Sequence, residues 1–216
     1  LNFGCPASRV VKAGAGSALL KKPEKIGEIV RACVSASSLP ITTKIRSGWD
    51  SDKAPMIARI IEDAGAVGIT VHWRTACEGR KRNIGWESVS EVKRSVGIPV
   101  IGNGGAYSPE LAVRFLKEAQ CDAVMISSAA LGNPAIFTQS NLLLEGKPTF
   151  QYSWKEKKAD FLEYFSLAKK HGCFSLKRLK AHAAQFFSGK PGAKKARVAL
   201  AAAKTEEDVL QILHKL

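Results

Sequence analysis

Val67-Gly68-Ile69-Thr70-Val71-His72 is an almost unbroken apolar, β-branched run that ends on a polar residue. A half-exposed strand would alternate apolar with polar, so a continuous run of this length reads as a parallel strand buried on both faces. Its neighbours repeat the pattern. Upstream, Ala54 to Ala64 is an amphipathic helix, and Gly65 follows it as a C-cap would. Before that helix lies a strand at Leu39 to Ile45, entered through Pro40, preceded by a helix at Pro23 to Ser35. Downstream come a helix at Trp86 to Ser95 and a strand at Ile98 to Gly102. A helix at Pro109 to Ala119 and a strand at Asp122 to Ile126 follow. Pro109 suits a first helical turn and Ser108 an N-cap. The opening Leu1-Asn2-Phe3-Gly4 reads as one more strand, so five β segments each run into a helix.

Repeated β-α units imply a parallel α/β fold. An open doubly wound sheet would carry a Gly-rich phosphate loop directly after its first strand. Lys12-Ala13-Gly14-Ala15-Gly16 is a loose match and sits away from the strand end. A (β/α)8 TIM barrel instead gathers its chemistry at the C-terminal ends of successive strands. Cys5, Lys44, Arg46, His72, Arg74, Asn103, Ser127 and Ser128 all fall there. The barrel is the expected architecture. Five strands cannot close one, so a partial barrel is expected, with its first three β-α units missing.

From about Phe150 no further strand is expected. Tyr152 to Lys170, Phe174 to Ser188, Lys194 to Ala203 and Thr205 to Leu216 read as four helices. Thr205-Glu206-Glu207-Asp208 has the form of a capped, acidic first turn. The expected organisation is a barrel-derived domain over residues 1–149 and a small all-helical C-terminal domain over residues 150–216.

Composition narrows the partners. Lys and Arg number 33 against 19 Asp and Glu, a formal charge of +14 in 216 residues, which favours a polyanion. The helical tail concentrates basic residues, Lys177 and Arg178 among them, interleaved with Phe174, Phe186 and Phe187. That combination suits RNA docking, and a regular solvated helix face explains part of it. Arg74 to Arg82 (RTACEGRKR) adds a second basic segment, with Arg80, Lys81 and Arg82, at the rim where the chemistry is expected. The five cysteines are odd in number and scattered, with no CxxC pair or His cluster, so no metal site is expected and a reducing cytoplasm is. No apolar run approaches the ~18 residues of a membrane span.

Six motifs recur in order: Asn2-x-Gly4-Cys5-Pro6, Lys12-x-Gly14-Ala15-Gly16, Lys44-Ile45-Arg46-x-Gly48-Trp49, Val71-His72-x-Arg74-Thr75, Ile101-Gly102-Asn103-Gly104 and Ala130-Leu131-Gly132-Asn133-Pro134. Together they make the chain resemble the tRNA-dihydrouridine synthases. The resemblance implies an FMN-dependent barrel that reduces the C5=C6 bond of particular tRNA uridines with NADPH as reductant, its helical domain helping to hold the tRNA. Reducing that bond needs a hydride donor and a proton donor, and no side chain donates hydride.

By the same resemblance Cys5 is the acid that protonates C5. A thiol of ordinary acidity stays protonated at neutral pH, as a general acid should. Read without the family, Cys5 is equally a small buried hydrophobe. Asn2 is implied to touch the flavin or the uracil edge; the plainer reading is a strand-end residue bonding its own turn. Lys44 and His72 are implied flavin contacts, and a cation there would favour a reduced, anionic flavin. Arg46 is a substrate or structural partner, and Arg74 meets RNA or a rim carboxylate. Asn103-Gly104-Gly105 with Ser127-Ser128 would form the phosphate end. Two departures stand out: many relatives have Asn-Gly-Asp at 103–105 and Gly-Arg at 127–128, so a bidentate phosphate clamp is lost here. Two further readings stay open: a flavin barrel acting on a small molecule, and a degenerate, non-catalytic tRNA-binding relative.

Overall fold

The computed structural model describes residues 1–78, 85–186, 188–189 and 191–215. These divide into two compact units, Leu1–Ser127 and Ser128–Leu216.

In the first unit, helix α1 (Ser8–Lys12) and a 3-10 turn (Gly16–Lys21) lead into α2 (Pro23–Ala36). Then β1 (Thr42–Arg46), α3 (Ala54–Asp63), β2 (Gly68–His72), α4 (Glu87–Ser95), β3 (Val100–Asn103), α5 (Pro109–Ala119) and β4 (Ala123–Met125) alternate. The four strands are all parallel and lie in the order β1-β2-β3-β4. This is the expected alternation, with strand and helix limits within a few residues of those read from the sequence. Helix α5 starts on the expected cap: Ser108 Oγ accepts from the Leu111 amide at 3.3 Å, with Pro109 in the first turn. Gly65 closes α3, its amide donating to the Glu62 carbonyl at 2.8 Å.

The opening segment behaves as an abbreviated strand. Asn2 makes an isolated parallel bridge to Lys44, with Phe3 N donating to Lys44 O and Lys44 N to Leu1 O, each at 2.8 Å. The sheet of the described residues is therefore open: four strands and one bridge, all running the same way. The core lies between one sheet face and the helices, around Ile26, Ile45, Ile57, Ile61, Val71 and Phe115, all fully buried. Trp86 stacks flat on Phe115, centroids 4.5 Å apart. A methyl at Gly102 would stand 2.6 Å from the Phe115 ring, so the glycine lets α5 lie close to β3.

The second unit is helical: a 3-10 turn (Ser128–Leu131), α6 (Ile136–Leu144), α7 (Trp154–Lys170), α8 (Leu176–Phe186), α9 (Ala193–Ala202) and α10 (Glu206–His214). The last four match the four expected helices. Both α7 and α10 begin with full capping boxes, Ser153 with Glu156 and Thr205 with Asp208. Their core gathers Phe161, Leu179, Phe186, Leu200, Val209 and Leu213. Helix α6 is not foreshadowed, because its apolar residues (IFTQSNLLL) form no single stripe. The unit boundary at Ser127–Ser128 consequently precedes the 149/150 division read from the sequence.

Candidate functional site

The site begins with strand register. Parallel pairing sets Lys44 beside Thr70 and Ile101, and Arg46 beside His72, Asn103 and Met125. Cross-strand partners share a face, and successive residues alternate. The interleaved row, Ile45, Val71 and Gly102, faces the helices. Lys44, Arg46, His72 and Asn103 therefore share the opposite face, and the last three form a row at the strands' C-terminal ends. This juxtaposition was read from sequence as a list of strand ends; the register makes it a surface.

Cys5 stands at the edge of that row. Asn2 Oδ1 accepts from the amides of Gly4 (3.0 Å) and Cys5 (3.2 Å), an Asx-type turn that fixes the backbone under the thiol. The plainer reading of Asn2 thus accounts for its oxygen. Cys5 is partly exposed and free. Beneath it runs the Lys12–Gly16 motif: Ser17 N donates to Cys5 O at 3.0 Å. Gly16 has φ +58°, and a methyl there would stand 2.7 Å from Cys5 O. That glycine motif is a buttress for the cysteine turn, which spacing alone did not reveal.

Arg46 crosses between loops. Its Nε donates to Gly4 O at 3.0 Å and its Nη1 to Thr75 O at 2.9 Å. The loops after β1 and β2 are also laced by backbone bonds, Ser47 N to His72 O (3.0 Å), Ala76 N to Gly48 O (2.9 Å) and Cys77 N to Trp49 O (2.9 Å). The Thr75 amide donates to Glu78 Oε2 at 2.8 Å. Lys21 Nζ lies 3.9 Å from the Trp49 ring centre.

His72 is half-buried, and its Nδ1 accepts the Arg74 amide at 3.2 Å, which assigns the ring proton to Nε2. Burial first, then the cations Arg46, Lys44 and Arg74, push its pKa down to about 3. The imidazole is neutral across the physiological range and presents an N–H donor. Burial, and then Arg46, also lowers the Lys44 pKa. Arg46 is lowered by burial and by Arg74, and partly restored by Cys5 and Glu78. Arg74 is buried and stacks over Trp73 at 4.5 Å. Three cations thus surround one neutral histidine, an arrangement complementary to an anion or an electron-rich carbonyl edge.

Asn103 is buried and donates through Nδ2 to Met125 O (2.9 Å) and Ser127 Oγ (3.1 Å), tying the end of β3 to the segment after β4. Gly104 O accepts two indoles, Trp73 Nε1 at 3.1 Å and Trp86 Nε1 at 3.3 Å. Gly104 and Gly105 follow one another at φ +97° and +87°. The tryptophans and the Asn103–Ser127 bond are supporting contacts that the strand-end pattern did not single out. Ser127 closes the first unit; Ser128 opens the second, both exposed.

Arg80, Lys81 and Arg82 lie outside the described residues. Lys177 and Arg178 are exposed on the first turn of α8. Within the second unit a cavity of about 850 Å³ is lined by Leu131, Glu163, Tyr164, Arg178 and His182 among others. Not every tail cation is available to a ligand: Lys180 Nζ caps α9 through Ala201 O (2.7 Å) and Ala203 O (2.9 Å). Among the described residues no metal-ligating cluster occurs, and no helix is long and apolar enough to cross a membrane.

Comparison with known proteins adds an independent line. The family model for dihydrouridine synthase matches residues 1–216. A tRNA-dihydrouridine synthase B from Xanthomonas axonopodis pv. citri is 42% identical over 139 residues, covering 63% of this chain and 42% of that protein. A probable tRNA-dihydrouridine synthase 1 from Synechocystis sp. is 34% identical over 203 residues, 89% of this chain and 56% of that one. Among solved structures, a putative dihydrodipicolinate synthetase from Pseudomonas aeruginosa aligns over 97% of this chain and 89% of its own at TM-score 0.45 and 15% identity, too distant to argue from. The chain spans about half the length of the curated relatives it matches.

Proposed function

The chain belongs to the dihydrouridine synthase family, and we propose that it carries the proton-donor side of a flavin barrel that reduces the C5=C6 bond of a tRNA uridine, with FMN as cofactor and NADPH as reductant. The observation that carries this reading is the Cys5 turn held beside the row Arg46–His72–Asn103, with Lys44 on the same sheet face. The parallel sheet with polar residues at its C-terminal ends supports a barrel origin. Lys44 fits the anionic edge of FMN: it is a cation on the strand-end face, destabilised by burial and by the charge of Arg46, a strain that such an edge would relieve. When bound, the flavin supplies the hydride that no side chain can.

The rest of the chemistry falls to the chain's own groups. Cys5 Sγ holds the proton destined for C5 of uracil, and the Asn2 turn aims it. His72 stays neutral and offers Nε2–H as a hydrogen-bond donor. Lys44 would hold the anionic edge of the cofactor with its ammonium. Asn103 donates to Ser127 Oγ, which leaves the hydroxyl proton of Ser127 free to point at a phosphate alongside the Gly104-Gly105 turn; Ser128 would add a second hydroxyl. Arg80, Lys81 and Arg82 would meet RNA, and Lys177 and Arg178 would do so on the helical unit; Arg74, buried against Trp73, instead supports the site from beneath. The target base must leave its stack to reach the thiol. Five free cysteines suit a reducing, cytoplasmic setting.

The test is a flavin titration of the 216-residue chain followed by dihydrouridine assay on uridine-containing tRNA. Bound-flavin absorption, RNA-dependent NADPH oxidation and loss of product in Cys5→Ala with flavin retained are expected. Turnover of small enones that survives deletion of residues 151–216, with none on tRNA, would replace this reading with the small-molecule one. Binding of tRNA without any flavin uptake would leave only a non-catalytic relative.

A further inference from the structure

We infer that Arg46 is a positioning residue that couples the start of the loop after β2, at Thr75, to the Cys5 turn, rather than a residue that itself grips the substrate. The inference rests on the proposed reading of Cys5 as proton donor and deepens it.

A substrate-binding arginine should present its fork to the ligand. Two of the five N–H donors of Arg46 are committed, and in diverging directions: Nε to Gly4 O at 3.0 Å, one residue before Cys5, and Nη1 to Thr75 O at 2.9 Å. Both acceptors are backbone carbonyls, so the contacts constrain the chain path and not merely a side chain. Gly4 also packs tightly here, since a methyl on it would stand 3.2 Å from the Ile45 carbonyl carbon. Thr75 is the root of the basic segment Arg74 to Arg82, and its amide is held by Glu78. The same loop is laced to residues 47–49 by three backbone bonds. Ordering imposed by a polyanion on the described start of this loop, Ala76 to Glu78, reaches Thr75. From there one half-buried guanidinium transmits it to the carbonyl adjoining the thiol residue. The planar fork is what permits this span; a lysine ammonium has the charge without the two diverging donors.

Arg46→Lys should therefore keep FMN uptake and tRNA affinity within about twofold while the rate of uridine reduction at saturating tRNA falls roughly 100-fold, the scale of a ~1 Å misplacement. Hydrogen exchange at the Gly4 and Cys5 amides should speed up, and exchange over β3 should not. Methylguanidinium added to Arg46→Ala should restore part of the rate. The opposite pattern overturns the inference: weakened tRNA binding with an unchanged saturated rate makes Arg46 a substrate contact. Unchanged exchange at Gly4 and Cys5 in a folded variant removes the clamp altogether. Should Arg46→Lys not fold, Arg46→Gln, which can reach one carbonyl, gives the same readouts. If the wild-type chain makes no dihydrouridine, the functional reading fails, and the amide-exchange comparison still decides whether Arg46 holds the turn.

Discussion

The Asn2 side-chain oxygen accepts the Cys5 backbone amide at 3.2 Å, so the residue three places earlier sets where the thiol stands. Its second bond, to the Gly4 amide at 3.0 Å, makes the turn bidentate. Removing the acceptor in Asn2→Ala should cost about 1 kcal/mol of stability, the usual net worth of such a bond. Asn2→Asp, which keeps the oxygen, should recover most of it. Chemical denaturation of the three proteins checks this; equal stability of the Ala and wild-type forms would show that the turn holds without its Asx bond.

Gly14 and Gly16 form a natural control pair. Both have positive φ, +71° and +58°, but a methyl at Gly14 meets nothing within 4 Å, whereas one at Gly16 meets Cys5 O at 2.7 Å and Val10 Cγ1 at 2.9 Å. Each Ala substitution pays the left-handed backbone cost of about 1 kcal/mol. Gly16→Ala alone must also push the cysteine turn aside, an overpacking penalty of about 1–3 kcal/mol. It should lower the denaturation midpoint more than Gly14→Ala and alter the alkylation rate of Cys5. Indistinguishable midpoints would mean the buttress yields freely.

The depressed His72 pKa has a definite sign in stability. Folded, the imidazole titrates near 3; unfolded, near 6.5. Between those values the unfolded chain binds more protons, so the contribution of His72 makes the protein less stable as pH falls from about 6.5 towards 3, and nothing changes above. Urea denaturation at pH 7 and pH 4.5 should show this loss, and His72→Gln should flatten it. An imidazole resonance titrating near 6.5 in the folded protein would contradict the crowding by Lys44, Arg46 and Arg74.

Gly105 follows Gly104 just past the end of β3, and both hold positive φ. Gly105 sits at φ +87°, a region that costs side-chain-bearing residues energy. Gly105→Asp should lower stability by about 1 kcal/mol. If the phosphate end lies where proposed, the added carboxylate should also weaken FMN uptake relative to wild type. Denaturation midpoints and flavin titration read the two effects separately; a stabilised Asp variant would show that the turn adopts another conformation.

The alternation of strands and helices was legible in the chain because burial on both faces writes itself as continuous apolar runs, and amphipathic helices as stripes. Val67 to His72 and Pro109 to Ala119 were readable for that reason. Helix α6 was not, since it has no stripe. The candidate site was legible as a set of strand-end residues and as an ordered set of motifs. Its internal wiring was not. Nothing in the spacing of Arg46 announces that Gly4 and Thr75 are its acceptors, and nothing in Asn103 announces Ser127. Such bonds join residues 42, 29 and 24 positions apart and exist only after the strands have paired.

Sequence by itself determined the alternation of helices and strands from Pro23 to Met125, the parallel α/β class of the first unit, the last four helices with the Thr205 cap, and the identity of the residues at strand ends. These follow from local periodicity and side-chain chemistry, which need no partner to be expressed. Tertiary structure alone decided which face of the sheet the polar ends share, that His72 is neutral, that Gly16 supports Cys5, and that Arg46 spans two loops. Each of those depends on register and on mutual burial of charges, quantities that arise only when distant segments meet at fixed distance and exclude water.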